Sequence, residues 1–326
     1  MQDSIYRFMS FFELYELLIN KKLKFTKIAL MDDKNELLGD GILNQLNIYI
    51  NPLGQTNEKM RESIEHKKAY TYISCWTKES DLMAMWLLYS KNKDAIRVKT
   101  SIDKLKKCSN EFASKNYFPK HVDSTIGTIQ TNLPTSEIAE VEYINYEVLY
   151  NMVKNEKIKL LNALGNAHEE KSDILSTIMD KHEEEVAKIC HKGKYLKDEV
   201  FSYENEVRSV LRLSKRNNRS SEEYKEKLKE YREKDFLSIP MITCNIVDDE
   251  FEMPNITYIP IDLDFIEEIT FDQRMPQYQQ DIYKEILNLN NDSRVVLSNA
   301  FGIKTEEFDF GLDLEKLTNM PLPIEK

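Results

Sequence analysis

The longest strand-like run in this 326-residue sequence, residues 201–213, carries charged side chains at alternate positions. These are Glu204, Glu206 and Arg208. Because alternate residues of a β-strand share one face, the three charges are predicted to lie side by side. Charged groups are not buried without partners. The run therefore forms either a solvent-facing ladder of ion pairs or the floor of a polar cleft, and both interpretations stay open at this point.

Strand-like and helix-like segments are interleaved along the chain. Alternating or continuously apolar patterns predict strands near residues 4–8, 23–28, 70–76, 95–99, 138–143, 236–243, 256–261, 266–271 and 295–298. Helical spacing predicts helices near 11–20, 82–89, 101–116, 221–234 and 277–289. Ser10 and Glu13 form a capping-box pattern for the first helix, and Thr77 or Ser80 is a candidate cap for the second. The fold class is predicted to be α+β, with mixed or antiparallel central sheets and flanking helices.

Residues 147–192 are helical in pattern and interrupt the strand-forming segments. We interpret them as a long helical insertion within a single α+β domain that covers residues 1–300. A C-terminal tail, residues 301–326, is expected to follow. With only 8 Gly and 9 Pro, the sequence argues against a repeat barrel or long flexible linkers.

The net charge of −11 argues against a general nucleic-acid binder, because such binding rests on neutralising phosphates. The four cysteines have neither zinc-site nor redox-motif spacing. The sequence has no signal-peptide pattern and no apolar run of about 18 residues. We therefore expect a soluble, cytoplasmic protein with free thiols, no membrane partner and no bound metal.

Arg7 follows Tyr6 in an otherwise apolar predicted strand. Its guanidinium group suits a phosphate or a carboxylate. The alternative is a structural ion pair, with Glu206 as one candidate partner.

Trp86 and Tyr89 are three residues apart and so share a helix face. Aromatic residues at this spacing either pack in the core or offer a stacking surface for a flat ring.

Three carboxylates, Asp32, Asp33 and Glu36, fall within five residues. Such a group can hold Mg²⁺ or Ca²⁺, although the spacing matches no calcium-binding loop. A solvated or capping acidic loop is the alternative.

The order of these motifs resembles that of a bacterial family known as domain of unknown function 2971 (DUF2971). The resemblance spans about residues 5–290 and includes the late strand at 266–269. Its other motifs are Tyr6-Arg7, the acidic loop at 32–36, Ser74-Cys75-Trp76-Thr77, Met85-Trp86 with Tyr89, Lys197, and residues 204–208.

The motif order is also similar to that of the ADP-ribosyltransferase-like superfamily, which implies that fold and NAD as a substrate. In that superfamily a first strand offers Arg or His, a middle element offers Ser, Tyr or another aromatic residue, and a late strand offers Glu. The resemblance implies that Arg7, beside Tyr6, binds the pyrophosphate or the nicotinamide-side ribose of NAD. It also implies that Trp86 or Tyr89 packs against nicotinamide, and Arg208 completes the predicted NAD-binding set.

For catalysis, the resemblance implies that Glu206 binds the ribose and stabilises an oxocarbenium-like state, a task that glycosidases also give to a carboxylate. Glu204 would orient the acceptor.

Three functions remain open. The first is an NAD-consuming enzyme, either a transferase of ADP-ribose to a protein or nucleic acid or an NAD glycohydrolase, acting as a toxin or in phage defence. The second is a metal-dependent nuclease in which Asp32, Asp33, Glu36 and Glu206 gather Mg²⁺. The third is a non-catalytic binding or sensing module whose helices at 147–190 and 221–234 contact a protein partner.

Overall fold

A computed structural model describes residues 4–46, 57–117, 128–167, 192–215, 253–298 and 300–302. The predicted helix at 221–234 and strand at 236–243 lie outside these residues. So do the later part of the predicted insertion and nearly all of the C-terminal tail.

Helices and strands both occur throughout the described residues. The strands are β1 Ser4–Met9, β2 Lys22–Lys27, β3 Thr71–Thr77, β4 Ile96–Ser101, β5 Ile129–Thr131, β6 Glu137–Glu140, β7 Glu142–Ile144, β8 Leu196–Asp198, β9 Glu206–Lys215, β10 Ile256–Pro260, β11 Glu268–Phe271 and β12 Val295–Leu297. The α-helices are α1 Phe11–Leu18, α2 Leu38–Leu43, α3 Asn57–Tyr70, α4 Met83–Tyr89, α5 Ile102–Lys115, α6 Tyr146–Ala167 and α7 Gln277–Ile286. The predicted α+β class is confirmed.

The main sheet runs β10-β2-β3-β1-β4-β11-β12. Its pairs are antiparallel except β11 with β12, which are parallel, so the sheet is mixed, as predicted. β9 pairs with all of β3, and its other edge takes β5 and β6. β1 and β2 both pair with the remaining edge of β3, β1 at Thr77 and β2 at Ile73 and Tyr72. The two strands therefore separate from each other along β3.

The largest buried cluster lies between these strands and the helices α1 and α5. Ile5, Leu14, Phe25, Leu105 and Ile269 are all 0% exposed within it. Burial of such side chains contributes roughly 1.5–3 kcal/mol each, so this cluster holds α1 and α5 against the sheet.

The first helix begins as predicted, because the Ser10 hydroxyl accepts a hydrogen bond from the Glu13 amide. The cap predicted for α4 is wrong. Leu82 occupies its N-cap position without a side-chain hydrogen bond, and the Thr77 hydroxyl accepts from the Glu79 amide instead.

Two predicted strands differ from the structure. Residues 138–143 form two strands, β6 and β7, which pair with different partners on either side of Val141. The predicted run from residue 201 begins instead as a 3-10 helix, Glu199–Glu204, and Asn205 follows with a φ of 41°. An alternating sequence pattern does not reveal a change of strand partner, which explains the first difference.

Among the helices within the described residues, none combines the length and the apolar character needed to span a bilayer.

The 3-10 turn Gly193–Tyr195 approaches the backbone of α2 closely, and a substitution at Gly193 tests this contact. A Cβ at Gly193 would lie 2.5 Å from the Asp40 Cα, and a backbone atom cannot move aside as a flexible side chain can. We expect Gly193→Ala to lower the free energy of unfolding by about 1–3 kcal/mol, measured by urea denaturation. The exposed neighbour provides a control, Lys192→Ala, with an expected change within about 0.5 kcal/mol. Equal stability of Gly193→Ala and the unmodified protein would contradict this packing.

Candidate functional site

A cavity of about 340 Å³ opens where β1 and β2 separate. It is bounded by β1, the start of α1, β3, α4, and the segment from β8 to the start of β9. The charged side chains that line it are Arg7, Glu13, Glu36, Lys197, Glu204 and Glu206. The structure therefore brings the predicted arginine of the first strand and both predicted carboxylates to one cavity.

Arg208 lies beneath the cavity and is 1% exposed. Its Nε and Nη2 donate to the two carboxylate oxygens of Glu206, at 2.7 and 3.0 Å. Its Nη1 and Nη2 donate to Glu36, at 2.9 and 3.1 Å. Nη1 also donates to the Lys194 carbonyl oxygen at 3.1 Å. All five N–H groups of the guanidinium thus have acceptors. We call Arg208, Glu206 and Glu36 the Arg208 network.

The strand pattern explains the Glu206–Arg208 pair of this network but not Glu36. Glu206 and Arg208 share a face of β9, as predicted. Both side chains are buried rather than solvent-facing, because the acidic loop with Glu36 and the turn at 193–195 meet them on this face of β9. Glu36 comes from the acidic loop, and its role as the second partner of Arg208 is not visible in the sequence.

Glu206 and Glu204 have pKa values displaced in opposite directions. Burial alone would raise the pKa of Glu206, but the charge and hydrogen bonds of Arg208 outweigh burial and lower it to about 2. Burial raises the pKa of Glu204, and its ion pair with Lys197 offsets this only in part. The site therefore combines a carboxylate that is ionised at neutral pH with one whose pKa is raised above its ordinary value.

Lys197 joins the carboxylates of the cavity floor. Its Nζ donates to Glu204 at 2.6 Å and lies 3.5 Å from Glu206 and 3.8 Å from Glu36. Burial would lower the pKa of Lys197, but the three carboxylates raise it above its ordinary value. In the sequence Lys197 contributes only to the motif order, with no assigned role.

Cys75 is a further residue of this floor that the sequence does not identify as part of a site. It lies opposite Arg208 in the β3–β9 pairing and lines the cavity, as Glu206 does. Burial, followed by the charge of Glu206, raises the pKa of the thiol well above its ordinary value. Cys75 is therefore held as a thiol, not as a reactive thiolate.

Arg7 lines the cavity from β1, and this part of the lining is called the wall. Its Nη1 donates to the Ser74 hydroxyl at 2.5 Å and to the Lys24 carbonyl oxygen at 3.3 Å. Its Nη2 lies 2.5 Å from a Glu13 carboxylate oxygen. The ion-pair partner of Arg7 is thus Glu13, and the suggestion of Glu206 as that partner is wrong.

The predicted aromatic residues divide between core and cavity. Trp86 is 0% exposed; its Nε1 donates to Asp81, and its ring meets the edge of Phe8 at 4.8 Å between centroids. A ligand-stacking role does not fit Trp86, because no face of its ring is accessible. Tyr89 is 52% exposed and lines the cavity, as does Tyr6.

Arg208 also differs from its predicted role as an NAD contact. It is buried behind Glu206 and Glu36, so it acts on the cavity through those carboxylates.

The acidic loop does approach the β9 carboxylates, but only Glu36 joins them. Asp33 accepts from the Asn35 amide, which is the capping alternative. Within the described ranges, no group of three or more His, Cys, Asp or Glu side chains is arranged to hold a metal ion. The Arg208 guanidinium lies between Glu36 and Glu206, so a cation shared by those two carboxylates would have to displace it.

Comparison with known proteins gives one match. Residues 85–209 match the sequence model of a family described as "Protein of unknown function (DUF2971)". The predicted family resemblance is confirmed over this segment, which contains α4 from Met85 onward, Lys197, Glu204, Glu206 and Arg208 and excludes Arg7. No curated protein and no solved structure matches the chain.

The Arg208 network predicts a large effect of removing its cation. Arg208→Met leaves Glu36 and Glu206 buried without their main partner, and we expect a loss of about 3–5 kcal/mol in the free energy of unfolding. Chemical denaturation measures this loss. Arg212→Met, on the same face of β9 but half-buried, is the matched control and should cost much less. Comparable losses in the two variants would show that Glu36 and Glu206 do not depend on Arg208 for their burial.

The lowered pKa of Glu206 predicts a pH-dependent stability. A carboxylate with a pKa of about 2 when folded and 4.5 ordinarily stabilises the folded state above pH 4.5, and this contribution is lost as the pH falls toward 2. The stability difference between the unmodified protein and Glu206→Gln should therefore shrink over that range by roughly 3 kcal/mol, at about 1.4 kcal/mol per pKa unit. Glu204 is present in both proteins, so its opposite trend largely cancels. A difference that stays constant from pH 7 to pH 2.5 would refute the assignment.

Proposed function

We propose that the protein consumes NAD by cleaving the bond between nicotinamide and ribose, as an ADP-ribosyltransferase or an NAD glycohydrolase. One observation carries the proposal: Arg7 from the first strand and Glu204 and Glu206 from the later segment line the same cavity. The motif order of the ADP-ribosyltransferase-like superfamily requires these residues to meet at one site. They are distant in sequence, so only the fold can bring them to the same cavity.

The cavity volume supports a ligand held by one end. At about 340 Å³ it lies at the small end of the usual range for ligand pockets, about 300–1,000 Å³. We propose that the nicotinamide riboside end of NAD enters, with Tyr89 beside the ring, while the pyrophosphate stays near Arg7 at the wall.

The proposed chemistry uses the difference between the two carboxylates. As the bond from the ribose C1′ to the nicotinamide nitrogen breaks, its electron pair goes to nicotinamide and positive charge develops on the ribose. The ionised Glu206 stabilises that charge. A water or acceptor hydroxyl adds to C1′, and Glu204 takes its proton.

Glu206 is placed to meet a ribose hydroxyl. Arg208 donates to both of its carboxylate oxygens, and Lys197 Nζ lies 3.5 Å from one of them. Glu206 also lines the cavity. We propose that a ribose hydroxyl donates to this carboxylate from the cavity, since an ionised carboxylate accepts about four hydrogen bonds.

A non-catalytic binding module is a second proposal, and α6 supports it. This helix exposes several large apolar side chains, namely Val148, Tyr150, Met152, Ile158 and Leu161. Exposed apolar side chains of this kind are one route to contact with a protein partner. We also propose a cytoplasmic location, which the free thiols of Cys75 and Cys108 support.

Nicotinamide release from NAD tests the proposed reaction. We expect the purified protein to release nicotinamide, alone or with protein or nucleic-acid acceptors added. Glu206→Gln and Glu204→Gln should each slow release by about 100-fold or more. Loss of a charge-stabilising group costs about 10²–10³-fold, and a positioned acid–base group contributes about 10²–10⁴-fold. Glu156→Gln, exposed on α6, is the control and should match the unmodified protein.

Three results would discriminate between the proposals. No release under any condition contradicts the enzyme, and so does equal release from the folded Glu206→Gln variant. NAD binding without release would favour the binding module.

A further inference from the structure

Arg7 is already oriented for a ligand. Its Nη1 is fixed to the sheet by the Ser74 hydroxyl and the Lys24 carbonyl oxygen. The Trp76 ring lies beneath the guanidinium, 5.8 Å from its carbon. The other terminal nitrogen, Nη2, meets Glu13, and both residues line the cavity.

Glu13 is held by two cations at once. One carboxylate oxygen lies 2.5 Å from Arg7 Nη2, and the other accepts from Lys24 Nζ at 3.3 Å. Two positive charges therefore converge on one negative charge, which leaves a local excess of one positive charge. Since Arg7 and Glu13 both line the cavity, this carboxylate occupies the position that the oxygens of an anionic ligand would take.

The contact between Glu13 and Arg7 is an exchangeable one. The Glu13 oxygen nearest Arg7 has no hydrogen bond of acceptable geometry, so the contact is a charge pair without an aligned bond. The two side chains keep 16% and 13% exposure, in contrast to the Arg208 network. The amide of Glu13, not its carboxylate, completes the Ser10 cap, so the side chain can move without uncapping α1.

We propose that Arg7 and Lys24 form a pyrophosphate subsite and that Glu13 is its internal occupant, displaced when the ligand binds. The identity of the ligand as the pyrophosphate of NAD rests on the proposed function. The subsite itself needs only a diphosphate group, whose oxygens take the place of the Glu13 carboxylate between Arg7 and Lys24. Glu13 thereby sets the affinity of the site for phosphate-bearing ligands.

Binding of inorganic pyrophosphate to the full chain, measured by titration calorimetry, tests the subsite. Glu13→Gln keeps the size of the side chain and removes its charge, so we expect about tenfold tighter binding, or about 1.4 kcal/mol. Adding Arg7→Gln to that variant should abolish the gain. Glu16→Gln lies one turn further along α1, where Glu16 accepts from Asn20, and is the matched control with unchanged affinity.

Glu13→Asp provides a second route if Glu13→Gln does not fold. It retains the charge but is one methylene shorter, so its carboxylate no longer spans Arg7 and Lys24, and pyrophosphate should again bind more tightly. Unchanged affinity in the folded variants would overturn the proposal.

Nicotinamide release measured on the same samples separates the two proposals. Release from NAD without any gain in pyrophosphate affinity rejects the role of Glu13 alone. Tighter pyrophosphate binding without release supports the subsite and rejects the NAD reaction.

Discussion

Arg208 is the interaction on which the rest of the site depends. Its partners come from three parts of the chain: Glu206 two residues earlier, Glu36 at a separation of 172 residues, and the Lys194 carbonyl. Removing three charged groups from water is costly, and burial is tolerated only when each finds its partner. The acidic loop, the turn at 193–195 and β9 must therefore adopt one mutual arrangement, and the cavity floor is fixed by it.

The two ends of the cavity differ in how readily their ion pairs can be replaced. The Arg208 network has exposures of 1–4%, and all its guanidinium N–H groups are used. The Arg7–Glu13 pair keeps 13–16% exposure and lacks an aligned hydrogen bond. The second pair is therefore the less buried of the two, and its net charge is positive once Lys24 is counted. A ligand's anionic part is thus expected at the wall, and its cationic part at the acidic floor.

Local features of this fold were predictable from sequence, and ion-pair partners were not. Apolar residues repeating every two positions correctly predicted the strands β1, β3 and β4, and repeats every three to four positions correctly predicted α5. The two-residue period also put Glu206 and Arg208 on one face of β9. The partners Glu36 and Glu13 could not be predicted, because a carboxylate and a guanidinium carry no sequence signal of pairing. The burial of Trp86 depends on Phe8 from another element, which is likewise a tertiary property.

The most informative failure concerns the boundary between Glu204 and Glu206. Treated as one strand, the two residues should share an environment and a pKa direction. Asn205 adopts a φ of 41°, a left-handed conformation that Asn tolerates better than most residues. Its carbonyl oxygen accepts from Lys78, and its side chain donates to Glu79, so the turn is tied to the end of β3. This turn moves Glu204 off the strand toward Lys197 and leaves Glu206 with Arg208. The opposite displacements of the two pKa values follow from that one backbone conformation.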